Sequence, residues 1–385
     1  MAKKKKVTNK VSKNKFKKVI STLLVLIIIA IALVCYFYPP FYEFIKGLFE
    51  EEKAPEFRVE GDTTYIESGE MPDLKVHFVD VGQADCILME LPDGKNVIID
   101  SGVHEYDDLK NYIEDNTSID SFDYAIATHA DSDHIGNFDK ILEDYEVKMI
   151  YRPYVLYNGE LYDFSADFNK GASNYKQSSK AYGDFLNCVL NEKYTAQGEE
   201  KSASWEFFTH ESDFAGKISY NDTIYEYYFD FLTPRVESLS DINYKNANDY
   251  SPIIKFSYQG VDILLTGDAE GGDESDAEDD FVAYYKVLED YDLDVEILKV
   301  GHHGSRTSTT QELLDLVKPE YAVIQCGENN SYKHPHQETL DRLFDLNCVL
   351  YRNDLHGDVV LKINKNGGFV FTSQNQVTQG LFDGG

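Results

Sequence analysis

Cysteine is scarce in this chain, five residues in 385. So sparse and odd a set excludes a disulfide framework. Cys35 lies in a long apolar run, and Cys86, Cys188, Cys326 and Cys348 lie in apolar stretches that read as strands or helix faces. They are most simply small buried residues. Positive charge is also short: 36 lysines and arginines face 68 aspartates and glutamates, for a net charge of −32. Nine of those lysines crowd into residues 1–18, where no acid occurs, so subtracting them leaves about −41 on the remainder. Nonspecific affinity for phosphate backbones comes from clustered lysine and arginine. The composition therefore argues against a dedicated nucleic-acid-binding surface, and such a substrate would need cations to neutralise its phosphates locally. Long apolar runs are limited to one, Val19 to Tyr38, which excludes a multi-span channel.

That one run carries no charge and extends for about twenty residues, enough to cross a bilayer as a helix. The lysines of residues 1–18 should stay in the cytoplasm, so everything after Pro40 is expected outside. A cleaved signal peptide would have a shorter apolar core and a small-x-small cleavage site, and none follows Tyr38. The organisation expected is a basic cytoplasmic tail (1–18), a transmembrane helix (19–38), an acidic stalk (39–73) and a soluble domain (74–385). The location implied is the cell membrane, single-pass, with the C-terminal domain extracellular.

The domain is organised around Tyr124-Ala125-Ile126-Ala127-Thr128-His129-Ala130-Asp131-Ser132-Asp133-His134. A short apolar run reads as a buried strand that stops abruptly in polar residues. His129, Asp131, Asp133 and His134 follow within six positions. Two imidazoles and two carboxylates packed so tightly cost desolvation and repulsion unless a cation holds them. Nitrogen and oxygen donors without thiolate suit zinc or manganese. A solvated acidic loop is the plainer alternative, but such a loop rarely follows directly on a buried strand.

Other strands end in residues of the same kind. Val261 to Leu265 delivers Thr266-Gly267-Asp268, and Val295 to Val300 delivers His302 and His303. Adjacent histidines point in different directions, so one of the two is expected to ligate. Gly304-Ser305-Arg306 offers backbone donors and a guanidinium to an oxyanion. Thr309 to Glu312 reads as a capping box. His334-Pro335-His336 precedes a helix and could grip a phosphate or protonate a leaving group. Asp80, Asp85 and Asp100 punctuate early strands and should brace turns; Asp80 and Asp100 are the candidates to support the ligands from behind, with Asp100 the better placed. Residues 197–222 look like an exposed insertion, and residues 271–292 like an acidic helix. The tyrosines of 151–162 and 225–228 read as half-buried strand and loop residues, with a groove lining as the alternative. His77, His104, His210 and His356 sit in no cluster and read as structural.

His-x-Asp-x-Asp-His after a strand resembles the metal motif of the metallo-β-lactamase fold, in the variant of ComEC-type DNA-uptake proteins. Val79 to Asp85, with Ala84 where glycine is usual, Leu264 to Asp268, Leu298 to Ser305 and His334 to His336 follow in that family's order, and the resemblance covers about residues 74 to 365. It implies an α/β fold, the four-layer αββα sandwich, with two divalent metal ions, zinc or manganese. His129 and Asp131 would hold the first, Asp133, His134 and one of His302 and His303 the second, with Asp268 bridging. Asp133, Asp268 and His336 would be catalytic, and Ser305, Arg306, His334 and His336 would contact the substrate. The reaction implied is hydrolysis of a phosphodiester, DNA among the candidates, by a shared water that the ions activate. The third histidine of the first metal site should fall between residues 150 and 250. His210 does not stand in a matching context, and Asn248 and Asp249 are nearest by position. A catalytically silent metal-binding module of a surface or DNA-uptake complex is the alternative.

Overall fold

The computed structural model describes residues 63–67, 69–103, 105–270, 288, 291 and 293–384. The basic tail, the expected membrane helix, nearly all of the stalk, the 271–292 helix apart from Leu288 and Tyr291, and His104 lie outside these residues. Among the described residues no helix is long and apolar enough to cross a membrane.

Two eight-stranded mixed sheets carry the domain. The first runs, in spatial order, Ser204–Phe207, Val147–Arg152, Phe122–Ile126, Asn96–Ile99, Ile87–Glu90, Leu74–Phe78, Val359–Ile363 and Phe369–Ser373. The second runs Thr63–Ile66, Phe214–Tyr220, Thr223–Phe231, Ile254–Tyr258, Val261–Leu265, Ile297–Lys299, Tyr321–Ile324 and Val349–Arg352.

The layering follows from side-chain alternation along each strand. Val97 and Ile99 enter a core shared by both sheets, while Ile98 between them enters a different one. In the second sheet Val261, Ile263, Leu265 and Ile297 face the shared core, and Leu264 and Leu298 face away. Each outward face is covered by helices. Phe138–Asp144 presents Phe138, Ile141 and Leu142 to the first sheet, and Lys180–Asn191 presents Tyr182, Phe185, Leu186 and Val189. Gln311–Val317 and Gln337–Asp345 cover the second sheet with Leu313, Leu314, Leu340 and Leu343. Three apolar layers among four structural ones give the αββα sandwich.

Several sequence expectations need correction. Residues 197–222 are not one insertion. Ser204–Phe207 pairs in parallel with Val147–Arg152, and Phe214–Tyr220 is an integral strand of the second sheet with Ile218 fully buried. Only the hairpin Lys193–Ala196 with Glu199–Ser202 stands apart. The capping box does not form. Thr310 is the N-cap and makes no side-chain cap hydrogen bond, while Thr309 Oγ1 instead accepts the Gly301 N–H at 3.1 Å. The tyrosines Tyr151, Tyr157 and Tyr227 are core residues. The four described cysteines are free.

Candidate metal centre

Parallel pairing aligns the carboxyl ends of Asn96–Ile99 and Phe122–Ile126 in one sheet, and of Val261–Leu265, Ile297–Lys299 and Tyr321–Ile324 in the other. Loops leaving that edge meet, as they do wherever parallel strands end together. Backbone bonds lock them: Ser101 N–H donates to His134 O at 2.7 Å, His302 N–H to Gly267 O at 3.0 Å, and His336 N–H to Gly304 O at 2.9 Å. Gly267 is required here. Its φ is +47°, and a Cβ would stand 3.1 Å from Ser251 and 3.2 Å from Thr128.

The hub is Asp268 Oδ2, on a carboxylate that is almost wholly buried. Around it stand the Nε2 atoms of His134 at 3.2 Å, His302 and His303 each at 3.7 Å, and His129 at 3.9 Å. Asp133 Oδ2 lies 3.3 Å from His303 Nε2, and Asp131 Oδ2 lies 4.0 Å from His129 Nε2. Asp133, His134, Asp268 and His303 each offer an atom within 4.8 Å of the others. Both rings of the histidine pair turn to Asp268, and His303 alone of the two belongs to the four-residue cluster. The rings can both turn there because both residues adopt left-handed backbone, φ 44° at His302 and 52° at His303, a region that L-residues visit rarely.

Every Nδ1 of these four rings is held from behind. Asp100 Oδ2 accepts from His134 Nδ1 at 2.7 Å and also from Thr128 Oγ1 at 2.7 Å. His129 Nδ1 lies 3.1 Å from Thr128 Oγ1 and 3.2 Å from Ser251 Oγ. His303 Nδ1 sits between Gln325 O at 3.0 Å and Asp85 Oδ1 at 3.1 Å. His302 Nδ1 donates to Glu270 Oε1 at 2.6 Å. Holding Nδ1 fixes the tautomer and leaves Nε2 as the free donor, the pattern of metal-binding histidines.

The residues fit cations by a direct test. His129 Nε2, His134 Nε2 and Asp268 Oδ1 are buried and have no hydrogen-bond partner among the described residues. Orphaned polar atoms of this kind are costly. The electrostatics agree. Burial opposes charge on His303, yet Asp268 and Asp85 push its pKa up to about 10, and burial of His134 is likewise overcome by Asp268 and Asp100. Burial and the neighbouring His134 drive His129 down to about 4. The carboxylates at the hub thus demand positive charge, and the rings can supply it only by taking up protons.

Some expected residues arrive and others do not. Asp80 is not brought to the centre: its carboxylate accepts the Gly82 N–H at 3.1 Å and its backbone N–H meets Asp358. Asp85 takes that part, fully buried and 2.8 Å from Lys299 Nζ. His334 is near the centre, its ring 5.3 Å from that of His302 and 4.7 Å from that of His336. His336 Nδ1 accepts the Arg306 N–H at 3.0 Å. Ser305 is buried and engages Thr307, whereas Arg306 is exposed. Tyr175 and Gln177 carry no sequence signal for the site, yet both reach it: Gln177 Nε2 donates to Asp131 Oδ1 at 3.3 Å, and Tyr175 OH donates to the same oxygen at 3.5 Å. Nothing linear links either to the metal loop, and the same holds for Lys299, Glu270 and Ser251.

Residues 79–219 match the family described as the metallo-beta-lactamase superfamily. ComE operon protein 3 of Bacillus subtilis (strain 168) is 26% identical over 322 residues, covering 79% of this chain and 33% of that protein. Competence protein ComA of Neisseria gonorrhoeae is 32% identical over 139 residues, covering 36% of this chain and 18% of that protein. This chain therefore spans at most about a third of the length of these relatives. Among solved structures, the diiron β-hydroxylase CmlA of Streptomyces venezuelae aligns at 12% identity and a TM-score of 0.42, covering 77% of this chain and 55% of that one. Over residues 79–219 the chain is thus similar to the metallo-beta-lactamase superfamily, and a competence protein is among the proteins it resembles.

Proposed function

We propose that this protein is a membrane-anchored, outward-facing, metal-dependent phosphodiesterase. The observation that carries the reading is the set of four anchored imidazoles aimed at one buried carboxylate, with orphaned donor atoms among them. Two divalent ions, zinc or manganese, held by these residues would lower the pKa of a water and steady both oxygens of an in-line displacement.

The chain's own residues do the rest. Asp268 presents one oxygen to all four rings, so its position sets the spacing of the site. Asp85, Asp100 and Glu270 hold three of the rings in a single tautomer. Gln177 and Tyr175 restrain Asp131, whose side chain is otherwise 39% exposed. Burial first, and then the neighbouring His302 and His303, hold the His334 pKa down to about 3. Gln83 lies 3.3 Å from His334 Nδ1, and its amide can donate there, leaving the ring proton on Nε2. In His336 Nδ1 accepts a backbone N–H, so the proton again sits on Nε2, where it can be offered as a hydrogen bond to a leaving oxygen. The exposed Arg306 guanidinium is the group on this loop left for a phosphate oxygen, since the N–H groups of Ser305 and Arg306 donate to His302 O and His336 Nδ1.

One relative bears the name competence protein, which directs the substrate search toward DNA. The acidic composition favours short or single-stranded phosphodiesters brought in by cations over a long duplex gripped electrostatically. The test is turnover of single-stranded DNA and of bis-p-nitrophenyl phosphate by the full-length chain in manganese or zinc. Asp268→Ala should abolish both. Equal rates in wild type and Asp268→Ala would assign the hydrolysis to a contaminant; no turnover by a metal-loaded chain would leave a silent binding module.

A further inference from the structure

The first cation's donor set is incomplete when the chain is read in order, because residues 150–250 bring no histidine to the centre. His210 is not among the rings around Asp268. Asn248, the nearest expected substitute, does arrive, but its amide Nδ2 lies 3.4 Å from His302 Nδ1 and so addresses that ring.

We infer that His302 supplies the missing donor, so that the adjacent pair His302 and His303 is divided between the two cations, with Glu270 as the positioning residue for the first. Three observations converge on this. His303, not His302, joins Asp133, His134 and Asp268 in the four-residue cluster. His302 Nε2 nevertheless lies 3.7 Å from Asp268 Oδ2, close to the 3.9 Å of His129 Nε2. The two rings also have separate supports: Asp85 and Gln325 behind His303, Glu270 behind His302.

Glu270 is itself tethered. Its Oε1 accepts Thr307 Oγ1 at 2.7 Å, and its Oε2 accepts Asn246 Nδ2 at 3.0 Å. A carboxylate fixed at three points would not be needed behind a ring that merely lines the rim, since carboxylate support raises an imidazole's strength as a donor. The left-handed backbone at both histidines has the same explanation. An ordinary extended pair would send one ring away from Asp268, and the strained turn brings both to it.

The inference rests on reading the site as a two-cation centre and not on its catalytic activity. The full-length chain, stripped with chelator, is titrated with manganese(II), with bound metal measured by equilibrium dialysis and elemental analysis and exchange coupling by electron paramagnetic resonance. Wild type should bind two equivalents and show a coupled signal. His302→Ala should keep one tight equivalent, lose the coupled signal and weaken the other site at least tenfold. Glu270→Gln should keep both equivalents but weaken one by about 10–100-fold. His303→Ala should lose the complementary equivalent, leaving His129 and Asp131 occupied.

Two unweakened equivalents in His302→Ala, with one lost in Asn248→Ala or Asp249→Ala, would overturn the inference. So would a single equivalent in wild type. Should His302→Ala fail to fold in the chelated state, Glu270→Gln carries the test, and unchanged affinity there overturns it. A chain that binds two equivalents in the predicted pattern but hydrolyses nothing would sustain the inference and refute the phosphodiesterase.

Discussion

Lys299→Met removes the ammonium that faces Asp85 behind the histidines. Lys299 and Asp85 are each about 98–99% buried, 2.8 Å apart, and Lys299 Nζ also donates to Val300 O at 2.8 Å. Lys299 follows Ile297 by two positions, so its side chain points between the sheets, where water cannot replace a lost partner. Breaking such a pair from one side leaves the buried Asp85 carboxylate with the His303 ring, 3.1 Å away, as its remaining cationic partner, and costs about 3–5 kcal/mol. At roughly 2 °C per kcal/mol for a domain of this size, the melting temperature should fall by about 6–10 °C. Thermal unfolding of the full-length chain in chelator measures this without any contribution from bound metal. Asp85→Asn should also destabilise, by stranding the ammonium. The double variant Asp85→Asn with Lys299→Met should recover most of the loss, because neither charge then remains. A shift under 2 °C for Lys299→Met, or a double variant as unstable as the two singles combined, would refute the assignment of this pair as a coupled support.

Further outcomes are open to measurement. Burial, reinforced by Asp213, pushes Asp230 up to about 7. A carboxyl with a raised folded pKa contributes stability that is present below its unfolded value and lost as pH rises through 7, so Asp230→Asn should stabilise by roughly 1–3 kcal/mol at pH 8 and by little at pH 4; denaturant midpoints at both pH values check this, and an equal effect at both would contradict it. His336→Ala should slow substrates with poor leaving groups most and activated nitrophenyl esters least, and a uniform loss would remove His336 from hydrogen bonding to the leaving oxygen. Protease added to intact cells should digest the chain beyond residue 40, and full protection would reverse the proposed orientation.

How much of this was legible in the sequence depended on locality. His129 to His134 could be read because a buried strand and its polar termination are contiguous, and Asp268 could be read from the same pattern at a second strand. Helical spacing of Tyr182, Phe185, Leu186, Val189 and Leu190 is a local signal of the same kind, and the structure buries that face except for Leu190, which is exposed. The pairing of Asp85 with Lys299 could not be read, since only the meeting of two sheets brings strands so distant in sequence together. Nor could the convergence of His302 and His303, because it depends on two left-handed residues that no local signal requires. The strand Phe214–Tyr220 was within reach: its burial alternates, with Gly216, Ile218 and Tyr220 inward. Proximity to a charged, irregular stretch obscured that period-two pattern. Asp80 and Asp85 look alike in sequence, and only the fold separates the turn brace from the buried partner of Lys299.

The central claim, that four anchored imidazoles and Asp268 form a two-cation centre, is tested most directly by metal content and its linked stability. Asp131, Asp133 and Asp268 crowd together without a cation, so binding should stabilise the folded chain, by about 2.7 kcal/mol at a free metal concentration one hundred times the dissociation constant. The full-length chain purified without chelator should carry two equivalents of zinc or manganese and lose several degrees of melting temperature when stripped. No bound metal, with a melting temperature unmoved by chelator or by added manganese and zinc, would contradict it.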